Sequence, residues 1–77
     1  MQQSRRTYEV KPDRIVGGWK VVTGRSNCVK RTWTKREAIS AAASRARTAA
    51  VEFGINTTLR VRNTDGSVSE VRSYKSF

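Results

Sequence analysis

Four stretches of this chain set lysine or arginine at alternate positions among apolar or β-branched residues: "YEVKP", "WKVVT", "CVKRTW" and "LRVRN". Successive side chains of a strand point to opposite faces. The alternation therefore gathers Lys11, Lys20, Lys30, Arg60 and Arg62 on one face, joined on the irregular last strand by Arg72. Adjacent strands lie about 4.8 Å apart, so these cations form one basic surface that Glu9 interrupts. Like charges set opposite each other repel, and an anionic partner relieves that cost. The chemistry implied is capture of phosphate oxygens, which positions a nucleic acid and carries little sequence information.

The whole chain points the same way. Its 77 residues carry 16 Lys and Arg against 6 Asp and Glu, with no His, for a net charge of +10. A surplus of that size spreads a positive field over most of a small surface and favours polyanions: DNA, RNA, an anionic membrane or an acidic protein. Catalysis has little to stand on. Without His there is no Ser/His/Asp or Cys/His arrangement, and Glu9, Glu52 and Glu70 are dispersed and read as solvated. Gly17-Gly18 lacks the lysine and helix start of a phosphate loop. Cys28 is the only cysteine, so neither an intramolecular disulfide nor a cysteine zinc site can form. With Lys30 and Arg25 near it, it reads as a packed bystander. No catalytic residue, metal or cofactor is expected. The N-terminal "MQQSRRTYEV" lacks the apolar segment of a signal peptide, and the rest of the chain has no long apolar run. A reducing, cytoplasmic location is expected, nucleoid-associated for a DNA binder and the host cytoplasm for a phage protein.

Residues 1–5 read as a polar tail and 6–75 as a single domain. "RTYEVKP" is a half-buried strand that Pro12 helps to end, and "DRIVGG" is a turn. "WKVVT" and "CVKRTW" are the next strands, joined by "GRSN". In the third strand Val29 and Trp33 take one face with Arg31 between them, and Lys30 and Thr32 take the other. Thr34 and Glu37 then form the T-x-x-E capping box that starts a helix, with Trp33 as the staple before it. Along the helix Ile39, Ala42, Ala43, Ala46, Ala49, Ala50 and Phe53 make one stripe. Its alanines allow close approach to a sheet, and Ile39 and Phe53 anchor it. Gly54 reads as the helix stop, with Ile55 after it. "NTTLRVRN" is the fourth strand, "NTDG" a hairpin turn, and "SVSEVRSY" the last strand. There Val68 and Val71 differ in parity, which a bulge or an exposed valine explains. The expected fold is α+β: an antiparallel sheet in β-β-β-α-β-β order packed on one amphipathic helix in two layers. Tyr8, Val10, Trp19, Val21, Leu59 and Val61 should meet the helix stripe, and the pairing of the first strand is left open.

The residues "YEVKP", "GGWKV", "TKREAI", "LRVRN", "DGSV" and "RSY", in this order over residues 7–75, resemble domain-of-unknown-function family 2188, small domains of bacteria and phages. The resemblance implies the fold and brings no activity or site residues with it. Residues 17–46 are also similar in layout to sheet-type DNA readers, the AP2-type domains and the N-terminal domains of phage integrases. The fourth and fifth strands depart from that pattern.

The expected function is therefore non-enzymatic binding of nucleic acid. Trp19 and Trp33 sit at core or staple positions, so base stacking is poorly served and phosphate contacts to duplex DNA are favoured over it, with RNA left open as a partner. Arg36 and Arg47, close in angle on the helix beside Ser40 and Ser44, are auxiliary contacts or simply a solvated face. The alternative is an interaction module that docks on an acidic host protein. A homodimer through an edge strand is left open. A membrane surface is disfavoured, because the helix offers alanines where a membrane-binding helix needs large apolar residues.

Overall fold

The computed structural model describes residues 5–24 and 27–75. Expectations for tail residues 1–4, for Arg25 and for the last two residues lie outside them. The elements are β1 (Arg5–Pro12), β2 (Trp19–Thr23), β3 (Asn27–Thr32), α1 (Lys35–Phe53), β4 (Asn56–Arg62) and β5 (Val68–Tyr74). Arg5, read from sequence as tail, belongs to β1. The strands form one five-stranded sheet in the order β3-β2-β1-β4-β5.

The sheet is mixed, not purely antiparallel. β1 pairs antiparallel with β2 but parallel with β4, bringing Tyr8 opposite Leu59 and Val10 opposite Val61. The helix is the cause. It carries the chain back from the end of β3, so β4 re-enters in the direction of β3 and of β1. A parallel pair needs such a crossover, and β1 gains a neighbour on each side.

The helix starts as its sequence dictates. Thr34 is extended (φ −121°, ψ 154°), and its hydroxyl accepts from the Glu37 amide at 3.2 Å while the Thr34 amide donates to Glu37 Oε1 at 3.2 Å. A cap of this kind contributes about 1 kcal/mol. At the other end Gly54 takes the left-handed conformation (φ 64°), and the amides of Gly54 and Ile55 both donate to the Ala49 carbonyl. Between them Ala38, Ala42, Ala43 and Ala46 pack on Tyr8, Val10, Val21, Leu59 and Val61, with Trp19, Val29, Ile39 and Tyr74 at the margin. The small side chains let the helix axis come close, and the strands supply most of the apolar volume.

Two expected apolar contacts do not form. Phe53 is 68% exposed and Trp33 is 79% exposed. Phe53 is the last helical residue and lies beyond the core cluster, at the lip of a groove shared with Arg6, Tyr8 and Arg45. Trp33 precedes the cap, where the chain turns out of β3, and its ring faces solvent instead of stapling the first turn.

Candidate functional site

Residues paired across neighbouring strands share a face, so the register decides which cations meet. Lys11 pairs with Lys20 and Lys20 with Arg31. Glu9 pairs with Val22 on one side and Arg60 on the other. The β1–β4 register continued by one residue sets Lys11 beside Arg62, and both reach the same carboxylate: Glu9 lies 2.9 Å from Arg62 and 3.8 Å from Lys11. Arg31, Lys20, Lys11 and Arg62 thus form a row across β3, β2, β1 and β4. At about 4.8 Å per strand it spans roughly 14 Å, with Arg60 in the next row. All of these side chains lie on the face away from α1. Val22, buried on that same face, gives the row an apolar floor.

The expected set is therefore altered at both edges. Lys11, Lys20, Arg60 and Arg62 come together as expected. Lys30 does not join them. A bulge in the β2–β3 register sets Lys30 opposite Val21 and Cys28 opposite Val22, with Val29 as the extra residue. An inserted residue reverses the parity of the residues after it, and Arg31 takes the place expected of Lys30. The adjacent Lys30-Arg31 pair is the only hint in the sequence, since a regular strand cannot turn both cations away from the core. Arg72 is also displaced. It pairs with Leu59, on the helix-side face of edge strand β5, and is ion-paired with Glu70. That contact holds its guanidinium above the ordinary value. Arg36 and Arg47 are exposed on α1 and do not meet the row.

Arg31 is held from one end of the face. Asp13, buried at the end of β1, lies 3.7 Å from its guanidinium. Asp13 Oδ1 accepts from the amides of Val16 (3.1 Å) and Ile15 (3.0 Å). These backbone donors, and then the charges of Arg31 and Lys20, hold its carboxyl below the usual 3.8. Arg31 is pushed above its ordinary value by hydrogen bonding to Cys28 and by the Asp13 charge. The same end gathers other contacts: Arg14 donates to the Thr64 carbonyl at 2.6 Å, and Lys35 to Asn63 Oδ1 at 2.9 Å. Both tie the β1–β2 loop and the helix start to the β4–β5 turn.

Such a face presents several positive groups, on a rigid support, that are chemically suited to anionic oxygens. Arg offers a forked donor suited to phosphate and Lys a point charge. Among the described residues no group of three His, Cys, Asp or Glu is placed to hold a metal, and no helix is long and apolar enough to cross a membrane.

Residues 8–74 match the family model described as "Uncharacterized protein conserved in bacteria (DUF2188)". The chain belongs to this family. The match covers every strand of the DUF2188 fold in whole or in large part, and all of the basic row. No curated protein and no solved structure matches the chain.

Proposed function

We propose that the open sheet face is a nucleic-acid interface. It takes duplex DNA foremost, through phosphate contacts from Lys11, Lys20, Arg31, Arg60 and Arg62, without catalysis. The observation that supports it most is the row of like charges across neighbouring strands, tempered on that face by Glu9. Cations that close are unfavourable in the free protein, and counterion release rewards their pairing with phosphate. The contacts are to backbone, so affinity varies little with base sequence.

Titration of a labelled random-sequence duplex at salt between about 50 and 200 mM tests this. Roughly five phosphate contacts give a slope of log affinity against log salt of about −4.5. Absence of binding at micromolar protein in the lowest salt contradicts the proposal. The second reading, docking on an acidic protein, is favoured by Val68 and Val71, which are 45% and 57% exposed on edge strand β5. A stoichiometric acidic partner recovered after nuclease treatment of a lysate supports that reading instead.

A further inference from the structure

Exposed apolar residues gather where the basic row ends. Ile15 and Val16, in the β1–β2 loop, are 92% and 59% exposed, and Trp33 is 79% exposed. Val16, Gly17, Arg31, Thr32 and Trp33 line a cleft of about 170 Å³. That is smaller than the roughly 300 Å³ at which sites for drug-sized ligands begin, so it suits a single flat ring system.

Both walls of the cleft are built in place. The Asp13 amide donates to the Gly18 carbonyl at 3.0 Å and the Gly17 amide to the Asp13 carbonyl at 3.0 Å. Together with the Asp13 side chain, these bonds fix the position of Val16. Gly18 brings the loop against the β3–α1 junction. It has φ +74°, and a Cβ there would lie 2.5 Å from the Thr32 carbonyl oxygen and 3.4 Å from Trp33 Cα. Only glycine permits this approach, so the cleft depends on it. Arg31 belongs both to the cleft and to the row, where it neighbours Lys20.

We infer that this cleft receives one unpaired base, stacked on Trp33, from a nucleic acid whose phosphates follow the row from Arg31 towards Arg62. The inference rests on the proposed sheet-face function and narrows its substrate to duplex carrying an unpaired nucleotide. The continuity of charge from cleft to row selects this occupant. An aromatic face beside a cationic track is the arrangement on which bases stack irrespective of identity. Val16 forms the opposite side, and Arg31 reaches the phosphate next to the extruded base.

The test compares a blunt duplex with one of equal length carrying a single bulged nucleotide, at about 150 mM salt. The wild-type chain is set against Trp33→Ala and Trp33→Phe. The bulged duplex is expected to bind about five- to a hundredfold tighter, the range that stacking of one base supplies. Trp33→Ala abolishes the preference and leaves blunt-duplex affinity and thermal midpoint unchanged. Trp33→Phe keeps most of the preference, but the quench of tryptophan fluorescence on binding disappears. Equal affinity for the two duplexes, or a preference that survives Trp33→Ala, overturns the assignment of the cleft and leaves the sheet-face function standing. Failure of both duplexes to bind in a salt-dependent way overturns the two together.

Discussion

The two faces of the sheet are written by alternate residues of the same strands, yet they solve opposite problems. On the covered face Val10, Val21, Leu59 and Val61 meet the alanines of α1 and are at most 1% exposed. Each of these side chains has found its partner within the chain. On the open face Lys11, Lys20 and Arg31 stand beside one another across neighbouring strands, and Glu9 restrains Lys11 and Arg62. In the proposed function that face is completed by an anion from outside. The difference teaches that parity in the strand decides which face a residue serves; if the open face binds as proposed, substitutions on the two faces should produce dissociable effects on stability and binding.

The largest effect is expected from Lys11→Gln, Lys20→Gln and Arg31→Gln combined. Each phosphate contact removed flattens the salt slope by about 1, so the triple variant should lose about 3 units of slope and roughly a hundredfold in affinity at low salt. Lys11→Gln with Lys20→Gln alone should hold or raise the thermal midpoint, because like-charge neighbours have been removed, whereas Arg31→Gln also removes the charge facing buried Asp13. A fall in midpoint of the Lys11/Lys20 double variant would break the separation of the faces. The covered face gives the converse. Ala46 is fully buried, and Ala46→Leu should destabilise by about 1–3 kcal/mol through overpacking, while duplex bound by the folded protein keeps its slope. Chemical denaturation and binding on the same sample read both.

Gly18→Ala comes next. The left-handed backbone and the close Thr32 carbonyl make it destabilising by about 1–3 kcal/mol. Asp13→Asn keeps an oxygen for the Ile15 and Val16 amides but loses the charge facing Arg31. The carboxyl of Asp13 is lowered in the folded chain, so its contribution to stability is present above the unfolded value near 3.8 and is lost as pH falls through the folded value. Thermal melts should therefore separate wild type from Asp13→Asn at neutral pH, begin to converge as pH falls below 3.8 and meet only below the lowered folded value. The smallest effect is expected for Arg36→Gln with Arg47→Gln. These lie on α1, eleven residues or about 16 Å apart along the helix, and the salt slope should change by less than about 1.

How legible each feature is in the sequence depends on how local its cause is. Thr34, Glu37 and Gly54 announce the ends of α1 because capping is decided within a few residues. Period-2 alternation places Lys11, Lys20, Arg60 and Arg62 correctly because β1, β2 and β4 keep their phase over those positions. The misplacements have non-local causes. Within "CVKRTW" only the adjacent Lys30-Arg31 pair hints at a bulge and nothing singles out Val29 as the inserted residue, yet that one insertion exchanges Lys30 for Arg31. Arg72 is displaced by a similar irregularity, the register shift between Val61 and Arg62 opposite β5. The parallel pairing of β1 with β4 depends on where α1 returns the chain. Trp33 is the most consequential miss. Its type and its place before a cap argue for burial as a staple, and the outward turn of the chain after β3 leaves its ring in solvent.

The central claim is that the open face, and not the helix, carries the binding. It is tested most directly by salt titration of one random-sequence duplex against wild type, the open-face triple variant and the Arg36→Gln/Arg47→Gln variant. The account predicts a wild-type slope of about −4.5 that flattens by about 3 in the triple variant and by less than about 1 in the helix variant. A slope that survives loss of Lys11, Lys20 and Arg31, or that collapses with Arg36 and Arg47, would contradict it.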